Sequence, residues 1–323
     1  MGINLIAAAL ALTGMGSLAA SAQGNGPSPP SLTDTADKPE TLLLEQERYE
    51  RLTVPVTISG QGPFRFMVDT GAQATVLSHQ LAERLQLFDR KPAILVGMAS
   101  RVPIETVGLD NLSFGSRSFY IQAAPVIDSA HLGSLDGILG LDSLQHQRIL
   151  LDFDKREITV SDGIDQPTSN TGFDIVVKAR ERLGQLIITK ALVDGIETSV
   201  IVDTGAQSSI GNPALLDRLR RARSMGDTEV TDVSGNSAAG AVRLVQGLSI
   251  GDVNIQSLPV VFLDSPSFHS LKLANRPALI LGMRELRLFR RVAIDFRTRQ
   301  VLFDLPRGTS RFNSAKGGRF TTG

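Results

Sequence analysis

Two short segments of the chain carry the residues best suited to chemistry. The tetrapeptide Asp-Thr-Gly-Ala occurs at Asp69–Ala72 and again at Asp203–Ala206, each time directly after a run of apolar residues. Two carboxyl groups held about 3 Å apart cannot both ionise, so such a pair shares one proton. A pair in that state can take a proton from water while it donates a hydrogen bond to a carbonyl oxygen, which is general acid–base hydrolysis. The repeat therefore predicts a hydrolytic site that contains Asp69 and Asp203.

The residues after each aspartate are suited to support it. The hydroxyls of Thr70 and Thr204 can each bond to the backbone of the other loop. Gly71 and Gly205 permit a tight backbone path and offer an N–H to a carboxylate oxygen. The alternative is that both aspartates only cap turns, a common use of Asp. Turn capping does not explain why Thr, Gly, Ala and Gln recur together in both copies.

Both tetrapeptides belong to a longer internal repeat that must position them. Each copy has an apolar hairpin before the aspartate and, further on, an apolar-apolar-Gly motif, at Ile138–Gly140 and at Ile280–Gly282. The two copies keep nearly the same spacing until late in the second, where residues 265–276 form an inserted loop. Tandem copies predict two lobes related by an approximate two-fold axis, which would bring the two aspartates together.

Most segments around these motifs are short, rich in Val, Ile, Leu and Phe, and bounded by Gly, Asp or Asn, which indicates a mainly β protein. The spacing of leucines predicts short helices from Ser78 to Leu87 and from Pro213 to Arg221. A further helical turn is expected after each apolar-apolar-Gly motif, through Leu144 and through Leu286.

The composition excludes several other chemistries. The chain has no Cys, which removes thiolate catalysis, disulfides and zinc–thiolate sites. Its four His are scattered, so a His-rich metal site is not expected, and neither is a cofactor. The 33 basic and 33 acidic residues balance, so no overall positive field favours nucleic acid or an anionic membrane. Carboxylate, hydroxyl or lysine chemistry and pure binding remain.

The motifs resemble those of the aspartic proteases, specifically the retropepsin-like bacterial proteins with both lobes in one chain. The resemblance spans about residues 50–305. It implies a bilobal pepsin/retropepsin-like fold, two pseudo-two-fold-related β lobes with short helices. It also implies an aspartic endopeptidase that hydrolyses peptide bonds with Asp69 and Asp203, an extended peptide substrate and an active monomer.

The sequence also departs from the pepsins. The two tyrosines, Tyr49 and Tyr120, lie outside the expected flaps, and Ala rather than Ser or Thr follows each Gly of the tetrapeptides. The missing hydroxyl would have favoured the ionised form, so we expect a working range from mildly acid to neutral pH. By analogy the flaps should be hairpins near residues 96–102 and 233–240, although ordinary surface hairpins are the alternative.

The ends lie outside the repeat. Residues 3–12 are apolar and precede Ala20-Ser21-Ala22, which predicts a signal peptide and a periplasmic or secreted protein, with an apolar N-terminal anchor as the alternative. The predicted segments are a signal peptide (1–22), a flexible linker or pro-segment (23–48), an N-terminal lobe (49–163), an inter-lobe linker (164–176), a C-terminal lobe (177–306) and a basic flexible tail (307–323).

A second class of function is compatible with the same sequence. A pepsin-like cleft could hold a peptide or an envelope component without cutting it, because a fold does not guarantee an activity. The presence of both aspartates favours the enzyme, since a binder could have lost either one.

Overall fold

The computed structural model describes residues 4–6, 9–11, 53–115, 117–161 and 172–306. Four predicted segments lie wholly or mainly outside the described residues: the signal peptide (1–22), described only at 4–6 and 9–11, the linker or pro-segment (23–48), the inter-lobe linker (164–176) and the basic tail (307–323). The chain is mainly β with short helices, as the sequence predicts. No described helix is long and apolar enough to cross a membrane.

The first half of the chain forms twelve described strands and three short helices. The strands are β1 (Asn4–Ile6), β2 (Ala9–Ala11), β3 (Thr53–Ile58), β4 (Gln61–Val68), β5 (Val76–Ser78), β6 (Lys91–Val96), β7 (Arg101–Phe114), β8 (Arg117–Ile127), β9 (Gly137–Leu139), β10 (Arg148–Asp152), β11 (Glu157–Ser161) and β12 (Ile175–Lys178). The helices are α1 (His79–Arg84), α2 (Ser129–Leu132) and α3 (Leu141–Leu144).

The second half repeats this order with ten described strands and three helices. The strands are β13 (Arg180–Arg182), β14 (Gln185–Val193), β15 (Ile196–Val202), β16 (Ile210–Gly211), β17 (Arg223–Asp232), β18 (Ser237–Ile250), β19 (Val253–Phe262), β20 (Ala278–Leu281), β21 (Arg291–Asp295) and β22 (Gln300–Asp304). The helices are α4 (Pro213–Leu216), α5 (Pro266–Ser270) and α6 (Met283–Leu286).

Each lobe contributes one sheet of its own. The strand order is β1-β6-β7-β3-β4-β9-β5-β8 in the first lobe and β13-β14-β15-β20-β16-β19-β18-β17-β2 in the second. The β4-β9-β5 and β15-β20-β16 runs are equivalent, and in each the middle strand comes from the apolar-apolar-Gly motif. That strand is parallel to the one before it in the order and antiparallel to the one after it.

A third sheet joins the lobes, which the sequence does not predict. Its order is β11-β10-β21-β22-β12, so strands from the first copy pair directly with strands from the second. Ile149 on β10 pairs with Ile294 on β21, and both side chains are buried in a core cluster that extends across both lobes. The two halves therefore share one hydrophobic core, and burial of these apolar side chains stabilises the junction between them.

The helices follow the sequence in part. Ser78 caps α1 by accepting a hydrogen bond from the backbone N–H of Leu81 at 3.1 Å, and a helix follows each apolar-apolar-Gly motif, as predicted. The helix predicted from Pro213 to Arg221 ends at Leu216 instead, because the chain continues in tight turns and enters β17 at Arg223. The inserted loop contains α5, which the sequence does not predict.

The two N-terminal strands lie in different lobes. β1 pairs in parallel with β6, with Asn4 opposite Ile94, whereas β2 pairs antiparallel with β17, with Ala11 opposite Val230. Both partners are the outer strands of long hairpins. Strands β1 and β2 therefore each pair with one hairpin edge, β1 in the first lobe and β2 in the second.

Candidate active site

The two aspartates leave their strands at equivalent points. Asp69 follows β4, and its backbone N–H donates to the carbonyl oxygen of Leu139 at 3.0 Å. Asp203 follows β15, and its N–H donates to the carbonyl oxygen of Leu281, also at 3.0 Å. The strands β9 and β20, which carry the apolar-apolar-Gly motifs, thus each bind the backbone of one aspartate and fix its position relative to the sheet.

Each carboxylate is held by its own loop. Oδ1 of Asp69 accepts hydrogen bonds from the N–H groups of Gly71 at 2.7 Å and Ala72 at 3.0 Å. Oδ1 of Asp203 accepts from Gly205 at 2.8 Å and Ala206 at 3.2 Å. These bonds orient both carboxyl groups in the same way.

The threonines link the two loops in a reciprocal set of four hydrogen bonds. Thr70 Oγ1 donates to the carbonyl oxygen of Val202 at 2.8 Å and accepts from the N–H of Thr204 at 3.1 Å. Thr204 Oγ1 donates to the carbonyl oxygen of Val68 at 2.8 Å and accepts from the N–H of Thr70 at 3.0 Å. Each hydroxyl crosses the pseudo-two-fold axis, so neither loop can move without the other.

The two carboxyl groups interact with each other in a buried setting. Asp69 is 0% exposed and Asp203 is 3% exposed. Burial, followed by the charge of Asp203, raises the pKa of Asp69 well above its ordinary value. Burial also raises the pKa of Asp203, against hydrogen bonds that include those from the N–H groups of Gly205 and Ala206. Because burial raises both pKa values and the two groups interact, the pair holds one proton between them at a pH where an isolated aspartate would be fully ionised.

One carboxylate oxygen has no donor among the described residues. Oδ2 of Asp69 is buried and accepts no hydrogen bond from any of them. A proton on this oxygen, shared with Asp203, would satisfy it, since a buried polar atom without a partner is costly. Gly71 makes the close approach possible, because a Cβ at that position would lie 2.3 Å from Oδ2 of Asp203.

A pair of carboxyl groups behind the site, the buried Glu285 and the more exposed Asp142, was not predicted. Thr75 Oγ1 donates to Asp142 at 2.6 Å and accepts from the N–H of Gly140 at 3.2 Å. In the second lobe Ser209 Oγ donates to Glu285 and accepts from the N–H of Gly282 at 3.1 Å. Both hydroxyls thereby connect a carboxyl group to the glycine of the apolar-apolar-Gly motif.

Burial raises the pKa of the Asp142 carboxyl and of the Glu285 carboxyl. The two groups play the same part but differ in type and in sequence position, Asp in the first lobe and Glu one residue later in the second. This difference hid the equivalence at the level of sequence. The signal that could have revealed it is the hydroxyl residue at matching positions after each tetrapeptide, Thr75 and Ser209.

The second lobe also contacts the first aspartate loop through glutamine side chains. Gln185 is buried, and its Nε2 donates to the carbonyl oxygen of Gly71 at 2.6 Å. Gln73 Nε2 donates to the carbonyl oxygen of Leu183 at 3.1 Å. These contacts add to the threonine bonds and hold the first loop against the second lobe.

Two long hairpins reach over the junction. Their turns, at residues 97–100 and 233–236, lie within the ranges expected for flaps. Three other aspartates near turns or strand ends have structural contacts. Asp136 accepts from the N–H of Arg65 at 2.7 Å, Asp152 from that of Lys155 at 3.0 Å, and Asp295 from that of Thr298 at 2.8 Å.

Within the described residues no group of three or more His, Asp or Glu side chains could hold a metal ion.

Two pseudo-symmetric β lobes that meet at paired Asp-Thr-Gly loops are the arrangement of aspartic proteases. The chain belongs to the aspartyl protease family, because the model of that family matches residues 54–143 and again residues 189–284, together more than half of its length. The double match confirms the family resemblance of the motifs.

Other comparisons add little to this assignment. A crystal structure of a retropepsin-like aspartic protease from Rickettsia conorii is 19% identical to the chain. The match covers 40% of this chain and 88% of that one, with a TM-score of 0.28. No curated protein matches the chain.

Proposed function

We propose that the protein is an aspartic endopeptidase in which Asp69 and Asp203 activate water for the hydrolysis of a peptide bond. The observation that carries this proposal is the buried pair of carboxyl groups, each held by two N–H groups of its own loop. Membership of the aspartyl protease family supports the same chemistry.

In the proposed reaction the pair starts with one proton, placed here on Asp69, and Asp203 starts ionised. The ionised Asp203 takes a proton from water as the water oxygen bonds to the peptide carbonyl carbon. Asp69, whose pKa burial and the neighbouring charge of Asp203 raise, gives its proton to the carbonyl oxygen. The resulting tetrahedral diol collapses when Asp203 returns its proton to the amide nitrogen, the C–N bond breaks and a diol hydroxyl reprotonates Asp69. Atoms and protons balance, and both carboxyl groups return to their first state.

The hairpin edges support an extended peptide as the substrate. A single strand that crosses a two-fold axis must run parallel to one of two equivalent edges and antiparallel to the other. The chain's own segment 4–11 has that relation to β6 and β17. Addition of a strand to a free edge is a general mode of peptide binding, in which main-chain hydrogen bonds supply affinity. Because one chain supplies both aspartates, we propose that the monomer is sufficient for activity.

We also propose that the protein is exported. This proposal rests on the apolar run at residues 3–12 and the small-residue stretch at Ala20–Ala22. Cleavage after Ala22 would remove β1 and β2 and leave both hairpin edges free for substrate. Cell fractionation and N-terminal sequencing of the purified protein test this. A protein that stays in the cytoplasm with residues 1–22 attached contradicts it.

Cleavage of a diverse peptide library by residues 23–323 tests the proposed activity. The matched variants are Asp69→Asn and Asp203→Asn, with Asp152→Asn as the control because that carboxylate accepts a hydrogen bond from the N–H of Lys155 in its own turn. We expect the parent and the control to cut the same peptides and both active-site variants to cut none. Cleavage that survives both substitutions would refute the assignment of the site. Binding of peptides without cleavage by the parent would instead support the non-catalytic alternative.

A further inference from the structure

The tips of the two long hairpins cross and bind each other through one buried carboxylate. Asp232 stands at the end of β17 and is 2% exposed. Its Oδ2 accepts hydrogen bonds from the other lobe, from Ser100 Oγ at 2.8 Å and from the N–H of Ala99 at 3.3 Å. Its Oδ1 accepts from its own turn, from the N–H groups of Ser234 at 3.0 Å and Asn236 at 3.3 Å. One side chain therefore ties both turns together.

The contact is too close to tolerate a larger residue at the tip of the first hairpin. A Cβ on Gly97 would lie 2.2 Å from Oδ2 of Asp232. The tip of the second hairpin approaches the first lobe in the same way, since a Cβ on Gly235 would lie 2.3 Å from Nε2 of His131. Each tip thus rests directly on polar groups of the opposite lobe.

Each tip also buries an apolar side chain in the opposite lobe. Met98 of the first hairpin packs in a cluster that contains Ile201 and Ala206, which flank Asp203 in sequence. Val233 of the second hairpin packs in a cluster that contains Met67 and Ala72, on either side of Asp69. The crossed tips are therefore packed against both of the loops that carry the aspartates.

The inserted segment of the second copy receives the first tip. Ser267 Oγ, on α5, donates to the carbonyl oxygen of Gly97 at 3.1 Å. Ser265 Oγ lies 3.5 Å from Sδ of Met98, and Phe268 belongs to the same apolar cluster. This segment, whose α5 follows β19 as α2 follows β8 in the first lobe, thus holds the tip of the first hairpin.

We propose that Asp232 is a positioning residue that latches the two tips shut over the aspartate pair, and that the latch must release for a peptide to enter and for products to leave. The proposal builds on the proposed peptidase activity. Asp232 touches no reacting atom and acts through Ser100 and Ala99 of the other lobe. Because the carboxylate accepts hydrogen bonds from both turns, a substitution that removes one of its oxygens should loosen both turns.

Deuterium exchange tests the latch without any need for activity. In Asp232→Asn one carboxylate oxygen becomes an NH2 group, which cannot accept a hydrogen bond. The one oxygen that remains cannot accept both from Ala99 and Ser100 and from the N–H groups of its own turn. We expect exchange to rise about tenfold in both residues 97–102 and residues 233–236, because a bond to a buried charge is lost. Asp152→Asn, the matched turn variant, should leave residues 97–102 unchanged. Faster exchange in residues 233–236 alone would overturn the proposal, since Asp232 would then stabilise only its own turn and not the tip of the other hairpin.

A reversible crosslink tests the need for release. The chain has no Cys, so Ser100→Cys with Ser234→Cys supplies a single defined pair whose parent hydroxyl oxygens are 3.2 Å apart. Oxidation should reduce cleavage of peptides about tenfold or more, and reduction should restore it, because the closed lid gates access. The control pair Ser113→Cys with Ser118→Cys, at oxygens 2.6 Å apart within one hairpin, should have no effect when oxidised.

The two tests also separate failure of the latch from failure of the proposed function. Full cleavage by the oxidised Ser100/Ser234 cysteine pair would overturn the latch while the peptidase stands. If the parent cuts no peptide, the exchange experiment still decides whether Asp232 ties the two tips.

Discussion

The reciprocal threonine bonds yield a prediction about stability that can be worked from the structure. Thr70 is 2% exposed, and its hydroxyl makes two of the four threonine bonds that link the two aspartate loops. Thr70→Val keeps the shape of the side chain but removes the hydroxyl. The carbonyl oxygen of Val202 and the N–H of Thr204 then lose this partner inside the protein.

The expected loss follows from the cost of buried groups without partners. Each such group costs about 1–3 kcal/mol, so the substitution should lower the free energy of unfolding by about 2–6 kcal/mol. Natural domains are stable by only about 5–15 kcal/mol, so this is a large fraction of the total. Thr204→Val removes the two bonds made by the Thr204 hydroxyl and should lower the free energy of unfolding by a similar amount.

Urea denaturation followed by circular dichroism measures the effect. Thr70→Ser keeps the hydroxyl and should retain most of the stability, and Thr159→Val on exposed β11 should be within about 0.5 kcal/mol of the parent. The explanation is wrong if Thr70→Val unfolds at the same urea concentration as Thr70→Ser. In that case the crossed bonds do not hold the lobes together.

Three further predictions concern the same site and its surroundings. Gly71→Ala should abolish cleavage because its Cβ would lie 2.3 Å from Asp203, whereas Gly108→Ala, with its nearest atom at 3.8 Å, should not; equal activity of both variants contradicts the close approach. Burial raises the pKa of Asp142 and Glu285, so their protons favour the folded chain at low pH and this stabilisation is lost as the pH rises through the raised pKa. With Asp142→Asn and Glu285→Gln together, the urea concentration at half-unfolding should therefore vary less with pH between about pH 4 and pH 8. An unchanged variation with pH argues against this explanation. Removal of residues 1–22 should raise kcat/KM by freeing the edges of β6 and β17, and identical kinetics for both chains would count against that role.

The sequence predicts much of the site because its determinants are local and occur twice. The Asp-Thr-Gly-Ala tetrapeptide, the apolar strand before it and the apolar-apolar-Gly motif each lie within a few residues, and symmetry supplies the relation between the copies. Those features are enough to expect that Asp69 and Asp203 meet and that Thr70 and Thr204 bond across the axis.

The features that escaped prediction depend on contacts between distant parts of the chain. Nothing in the apolar run at β10 specifies that its partner is β21 in the other copy, because short apolar strands of this kind occur throughout the chain. Asp232 resembles an ordinary turn residue in sequence, and its bond to Ser100 follows only from the crossing of the hairpins. The early end of α4 likewise follows from the start of β17, which propensity alone does not indicate.

The pH dependence of kcat/KM for the chain of residues 23–323 tests the one-proton pair most directly. If Asp69 holds a proton while Asp203 is ionised, the profile is bell-shaped, with activity lost at low pH as Asp203 gains a proton and at high pH as Asp69 loses its own. The maximum should fall between mildly acid and neutral pH, and Asp69→Asn and Asp203→Asn should be inactive throughout. Activity that rises without a maximum to about pH 8, or that persists in either variant, would contradict a shared proton on these two carboxyl groups.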